Sequence, residues 1–351
     1  MVPNRHPVRS EPGAARRLKE CVQTMSEPKP KALVTAAVRG PGLTLLGELA
    51  DLTLDSWLDQ PSLRIYNAEQ LAERVQSEGA SIVVVESDRC AGPLFEIPLV
   101  AVCSCRGDPN NVDVAAATAA GVPVLRAPGR NADAVAELAV ALLFAATRGV
   151  VAADADVRHG EIYKNGTIPY QRFRAWQLAG RTAGLVGLGA VGRALRWRLR
   201  GLGLEVLAYD PYADEPTVSL DELLSRSDVI SMHAPVTPET TGMIGADQFD
   251  AMRDGVVFLN TARAQLHDTD ALVAAVQSGK VSAAGLDHFV GESLAVDHPL
   301  TQMDSVVLAP HIGGATYDTE SNHTTTIAED LCRLLAGARP LNIVNPEVLD
   351  Q

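Results

Sequence analysis

Thr182 to Asp210 reads TAGLVGLGAVGRALRWRLRGLGLEVLAYD. It opens on a short apolar run, Ala183 to Val186, too short for a helix. Gly187-Leu188-Gly189-Ala190-Val191-Gly192 follows, with glycines spaced G-x-G-x-x-G. Ala194, Leu195, Leu199 and Leu202 then recur near a helical period, so Val191 to Leu202 is expected to be an amphipathic helix. A second apolar run, Leu204 to Ala208, ends at Tyr209-Asp210. The order is strand, tight turn, helix, strand, acid.

That order suits a dinucleotide. Gly187 permits the tight turn, Gly189 lets backbone approach a pyrophosphate, and Gly192 lets helix and strand pack closely. The helix N-terminus offers N–H groups and the positive end of its dipole to phosphate. Asp210 closes the second strand, where a carboxylate can accept both ribose hydroxyls and repel a 2′-phosphate. NAD is therefore expected rather than NADP.

The other runs extend the pattern. From Ala32, apolar strand-like and helix-like stretches alternate, giving strands over Ala32–Val38, Leu63–Tyr66, Ile82–Glu86, Leu99–Cys103 and Val122–Leu125. Helices are expected over Leu43–Leu54, Ala68–Glu78 and Val112–Ala120. This is an α/β unit with a parallel sheet. Pro128-Gly129 breaks the pattern, and a long helix is expected from Ala132 to about Val151. Its apolar Val135, Leu138, Leu142 and Phe144 face several sides, so it is expected to lie between domains or subunits. The aromatic loop Gly160–Gln177 suits an arm. After Asp210 the alternation resumes with strands at Val229–Met232, Val256–Asn260, Val281–Leu286 and Val306–Ala309. A closing helix is expected over Thr316–Leu335. The two units align as no internal repeat.

Composition narrows the classes. The chain has 351 residues, enough for two domains, and 46% are apolar. Its net charge of −13 argues against nucleic acid or an anionic membrane as a main partner. No apolar run reaches membrane-spanning length, since Asp133 and Glu137 interrupt Ala132–Ala146. The five cysteines make no metal-site pattern, and no metal is expected. Cys103 and Cys105 read as reduced, half-buried thiols on one strand face, and the odd count suits a reducing cytoplasm. Residues 1–31 carry Pro3, Pro7, Pro12, Pro28 and Pro30 and no apolar periodicity. They read as a disordered extension without a secretory h-region, with Met25 as an alternative start.

Ligands of doubly wound sheets sit at the carboxyl ends of the strands. Those ends carry His233, Arg263, Asp287 and His311, with Glu292 in the loop after Asp287. One polar residue after a strand is usually a turn residue, but five on consecutive strands converge on one crevice. The motifs around them are specific. They include Gly121-Val122-Pro123-Val124 to Pro128-Gly129, NADAVAE (Asn131 to Glu137), GLVGLGAVG, and HAPVTPET (His233 to Thr240). They continue with NTAR (Asn260 to Arg263), Gly285-Leu286-Asp287 and Ala309-Pro310-His311-Ile312-Gly313-Gly314. In that order, over Ile82 to Asn345, the chain resembles the D-isomer-specific 2-hydroxyacid dehydrogenases.

The resemblance implies two Rossmann-like or flavodoxin-like parallel-sheet domains with the active site in the cleft between them. It implies a substrate domain of residues 32–130 plus 316–351, an NAD-binding domain of residues 131–315, and a homodimer. It implies a small 2-hydroxy acid or 2-ketoacid as substrate. Arg263 would bind it, and His311 would be the acid/base. Glu292 would hold His311 and favour its protonated, reducing form. Asp287 would contact the nicotinamide end. Ala190, Val191, His233, Ala234, Pro235, Thr240, Thr261, Ala262, Gly313 and Gly314 would contact NAD, with Arg263 and His311 at the same site. Cys105, Arg106 and Gly107 would hold the substrate carboxylate through backbone N–H groups.

Three departures bear on the substrate. Glu86-Ser87-Asp88 stands where the family commonly has Arg-Ser, so an acidic edge is expected to disfavour phosphoglycerate, with Arg106 as a rival reader of phosphate. Phe289-Val290-Gly291-Glu292-Ser293 lacks the family's Glu-Pro ending. No regulatory domain is expected after Gln351. His159, His267, His298 and His323 read as surface or packing residues, and His288 as a cleft neighbour at most. Phosphoglycerate dehydrogenase and glyoxylate or hydroxypyruvate reductase are the alternatives within the family. An NAD(H)-responsive binding protein of corepressor type is the alternative of another class.

Overall fold

The computed structural model describes residues 28–215 and 217–350. The expected disordered extension lies outside the described residues except for 28–31, and Lys31 already opens the first strand. The chain divides into two compact units, Met1–Arg130 with Thr316–Gln351, and Asn131–Ala315.

The first unit holds five parallel strands: β1 (Lys31–Val34), β2 (Asp51–Leu54), β3 (Ile82–Val85), β4 (Ala101–Ser104) and β5 (Val124–Leu125), in the order β2-β1-β3-β4-β5. This is the flavodoxin-like order. β3 reads Ile-Val-Val-Val and is buried throughout, as a central strand covered on both faces must be. The helix Ala68–Glu78 starts at Asn67, whose side chain and that of Gln70 form a capping box, and stops at Gly79 with φ 63°.

The expected helix Leu43–Leu54 is two elements. A helix covers Pro41–Leu49, Ala50 turns to extended backbone, and Asp51–Leu54 is β2, paired with β1. β2 is an edge strand with no fully buried residue, so its leucines carry no clear period. The expected strand Leu63–Tyr66 is absent. Tyr66 N–H donates to Asp88 Oδ1 at 2.8 Å, its hydroxyl to Asp55 Oδ2 at 2.9 Å, and its carbonyl accepts the Arg89 N–H at 3.0 Å, and these bonds hold the segment without a strand ladder.

Those bonds also revise the expected acidic edge. Asp88 is 2% exposed and also accepts the Thr35 hydroxyl at 2.5 Å. Glu86 is paired with Arg130 at 2.6 Å, and both are largely covered. Neither carboxylate stands free to repel a phosphate. Cys90, Cys103 and Cys105 are buried free thiols, and the last two are fully rather than half buried.

The second unit holds six parallel strands: β6 (Thr182–Val186), β7 (Glu205–Tyr209), β8 (Val229–Met232), β9 (Val256–Asn260), β10 (Val281–Leu286) and β11 (Val306–Leu308). Their order is β11-β10-β9-β8-β6-β7, so the direction of winding reverses between β6 and β8. The long helix expected from Ala132 breaks into Ala132–Thr147 and Val150–His159, bent by 61°. Gly149, at φ 58°, supplies the left-handed turn that a continuous helix lacks. The first helix is an internal element of this unit. Ala136, Ala139, Leu142 and Leu143 pack into the same core as the strands, and Leu142 lies so close to Gly285 of β10 that an added Cβ would meet it at 2.9 Å. Among the described residues no single helix is long and apolar enough to cross a membrane.

Candidate active site

The glycine turn has the expected construction. Gly187 has φ 102°, and a Cβ there would strike the His233 and Ala234 backbone at 2.6–2.7 Å. A Cβ on Gly192 would meet Gly187 O at 2.2 Å, so only glycine lets the helix Ala190–Gly201 lie against the turn. A Cβ on Gly189 would meet nothing within 4 Å. The helix has no side-chain cap at this end, so its first N–H groups face that open space.

Asp210 ends the next strand. Its Oδ2 accepts the Leu188 N–H at 2.8 Å and its Oδ1 the Tyr212 N–H at 2.9 Å. These bonds fix the carboxylate beside the turn and leave each oxygen a lone pair for a ribose hydroxyl. At β8, His233 Nε2 lies 2.8 Å from Ser231 Oγ, and burial lowers its pKa to about 4. Thr240 is turned inward: its hydroxyl donates to Pro235 O at 2.7 Å and accepts the Thr237 N–H at 2.8 Å, closing the loop after β8. Thr261, after β9, has a buried hydroxyl without a hydrogen-bond partner. The open helix end, the fixed acid and this orphaned hydroxyl fit a dinucleotide lying across β7, β6, β8 and β9.

The candidate reactive residues stand at the ends of β9, β10 and β11. After β9, Asn260 organises the turn that presents Arg263. Its Oδ1 accepts the Ala262 N–H at 3.0 Å, and its amide donates to Arg263 O at 2.7 Å and to His267 Nδ1 at 2.9 Å. Arg263 Nη1 donates to Ala262 O at 2.6 Å and its side chain is exposed. After β10 come Asp287, His288 and the turn bearing Glu292, and after β11 comes His311. His311 Nδ1 lies 3.0 Å from Glu292 Oε2, which is the pairing expected between them. Nε2 of His311 is then the nitrogen left for a ligand.

Asp287 lies beneath the loop that carries His311. It is fully buried, and the N–H groups of Ile312 and Gly313 both donate to its carboxylate at 2.8 Å. It anchors that loop. Burial raises its pKa, against the lowering effect of those two N–H groups. Gly313 fits against it, because an added Cβ would touch Asp287 Oδ2 at 3.0 Å.

His288 is the residue that sequence reasoning undervalued. Its ring lies 3.9 Å from that of His311, it is 5% exposed, and its Nδ1 is buried without a partner. Burial first, then the charges of His311 and Arg263, push its pKa down to about 3. The donors of His288, Glu292 and His311 lie within 4.8 Å of one another, a set that the cysteine spacing gave no reason to expect. The other histidines pack as expected: His267 against Asn260 and Phe258, and His323 between Arg130 and Ala37 O.

In the first unit the loop after β4 holds Cys105, Arg106 and Gly107. Cys105 donates its N–H to Val85 O at 2.7 Å, extending the sheet, and so leaves the set of N–H groups expected to take a carboxylate. Arg106 Nη1 donates to Asn110 Oδ1, and Arg126 Nη1 donates to Gly107 O at 3.3 Å.

Known proteins agree with this geometry. Residues 140–313 match the NAD binding domain of D-isomer specific 2-hydroxyacid dehydrogenases. A glyoxylate reductase of Thermofilum pendens is 36% identical over 331 residues, 92% of this chain and 96% of the relative. The chain belongs to the D-isomer-specific 2-hydroxyacid dehydrogenase family. It is an NAD-dependent oxidoreductase of 2-hydroxy acids. A D-3-phosphoglycerate dehydrogenase of Archaeoglobus fulgidus is 40% identical over 244 residues, 67% of this chain but 45% of that longer protein. Among solved structures, the D-lactate dehydrogenase of Escherichia coli superposes with a TM-score of 0.72 at 26% identity, over 90% of this chain and 99% of the other.

Proposed function

We propose that this dehydrogenase interconverts a small unphosphorylated 2-ketoacid and its D-2-hydroxy acid, with glyoxylate and hydroxypyruvate as the reference ketoacids. The hydrogen bond from His311 Nδ1 to Glu292, on the strand ends beside Arg263, carries the reading. The similarity to the Thermofilum pendens glyoxylate reductase supports this substrate class because it spans both units. The acidic-edge argument against phosphate no longer contributes, since Glu86 is paired and Asp88 is buried.

Each residue has one task. Arg263 offers a planar fork of donors to the substrate carboxylate or the adjacent carbonyl oxygen. His311 delivers a proton from Nε2 to that oxygen during reduction and removes it during oxidation. Glu292 orients the ring by its bond to Nδ1. NAD(H), when bound, supplies or accepts the hydride at C2.

A homodimer is part of the reading. Val150, Val151 and Val157 on the second segment of the bent helix are exposed, as are Tyr163, Tyr170 and Trp176 in the following loop, a run of apolar surface suited to a second copy. Light scattering of the wild type should report two chains.

The test of function is NADH consumption across a panel of 2-ketoacids that includes glyoxylate, hydroxypyruvate and phosphohydroxypyruvate. Higher kcat/KM for the unphosphorylated acids supports the proposal. Preference for phosphohydroxypyruvate, lost in Arg106→Ala, would contradict the substrate assignment. Absence of turnover on every acid would favour an NAD(H)-responsive binding protein.

A further inference from the structure

We propose that His288, Glu292 and His311 form an inhibitory site for a divalent transition ion of the zinc type. Their donor atoms all lie within 4.8 Å of one another. A tetrahedral zinc with bonds of about 2.0–2.2 Å holds its ligands roughly 3.4 Å apart, so the set closes on an ion by side-chain movements of about 1.4 Å or less. Glu292 and His311 have that freedom, with side chains 60% and 47% exposed.

His288 makes the set more than a chance meeting of exposed groups. It is held by burial against the His311 ring, and its Nδ1 has no hydrogen-bond partner. A buried polar nitrogen without a partner is rare in a folded protein. Two imidazoles and one carboxylate are the donors of zinc sites that keep a fourth position for water. Magnesium and calcium prefer oxygen alone.

The consequence for the reaction follows from the shared atoms. An ion bound here occupies His311 and draws Glu292 from its present bond, so the imidazole can no longer exchange a proton with a ketoacid. Ion binding rests on the geometry of this unit alone, whereas inhibition rests also on the acid/base reading of His311.

Two measurements separate these. Calorimetric titration of the full chain with zinc, without substrate, should show one ion per chain. His288→Phe keeps a ring against His311 but removes the donor. It should weaken binding by at least about tenfold, the loss that removing even an outer-shell partner causes. Glu292→Gln should do the same, with NADH binding confirming that both variants fold. Zinc should inhibit ketoacid reduction competitively against the ketoacid, and a chelator should restore turnover. No binding to the wild type, or equal binding to His288→Phe and wild type, overturns the site. Binding that weakens in His288→Phe yet leaves wild-type turnover unchanged overturns the inhibitory role and points to failure of the acid/base reading.

Discussion

His311 and Glu292, joined by a 3.0 Å hydrogen bond, both hold left-handed backbone, each with φ 56°. For residues with a Cβ this conformation costs roughly 1–2 kcal/mol each. Both ends of the bond are therefore held where free loops would not stay. On the His311 side the cause is visible: the next two N–H groups are fixed by the buried Asp287 carboxylate. Such strain commonly accompanies functional sites.

Glu292→Gln should reduce kcat for ketoacid reduction, because the carboxylate that orients the His311 ring through Nδ1 is lost. Solvent screens the half-exposed pair, so the fall should be about tenfold or less, with NADH binding unchanged. Unchanged kcat would show that Glu292 does not position the ring.

Asp287→Ala should free the His311 loop. Thermal stability should fall by about 1–3 kcal/mol for the two unmet buried N–H groups, and kcat should fall with it, while the dissociation constant for NADH changes little. A weakened NADH complex with unchanged stability would restore Asp287 to the cofactor.

The dinucleotide unit was legible in the sequence because each glycine answers a local steric demand and Asp210 ends a recognisable strand. Arg263, Glu292 and His311 were legible as strand-end residues. The tasks of Asp287 and His288 were not, because sequence spacing does not reveal whether a polar side chain at a strand end faces outward or is sealed beneath the next loop. The Leu43–Leu54 error has a similar cause: an edge strand with no fully buried position carries no period to distinguish it from the preceding helix. Glu86 and Asp88 misled because their charges are answered by Arg130 and by the Thr35 hydroxyl and Tyr66 N–H, far apart in the chain.

Asp210→Ala should weaken NAD binding by about tenfold or more, the effect of losing hydrogen bonds to a charged group. NADP should lose less, because the repelling charge disappears as well. Fluorescence titration of both cofactors against both proteins checks this, and a wild type that binds NADP as tightly as NAD would contradict the role of the carboxylate.

Stability should fall in mild acid. His267 is buried, its Nδ1 accepts from Asn260, and burial lowers its pKa from 6.5 to about 4. Between those values the unfolded chain binds the proton and the native one does not, so stability present above pH 6.5 is lost as pH falls toward 4. One such histidine contributes about 2 kcal/mol of loss at pH 5. Calorimetry at pH 7 and pH 5 should show the lower melting temperature at pH 5, with a smaller difference in His267→Gln. Equal differences in both proteins would remove His267 as the cause.

The central claim is that His311 moves the proton while NADH is held elsewhere on the sheet. The direct measurement is ketoacid turnover by His311→Gln, with the NADH dissociation constant determined on the same sample and chelator present. The account predicts that kcat falls by roughly 10²–10⁴, the range for losing a general acid, with NADH binding essentially unchanged. Wild-type turnover by the variant would contradict it.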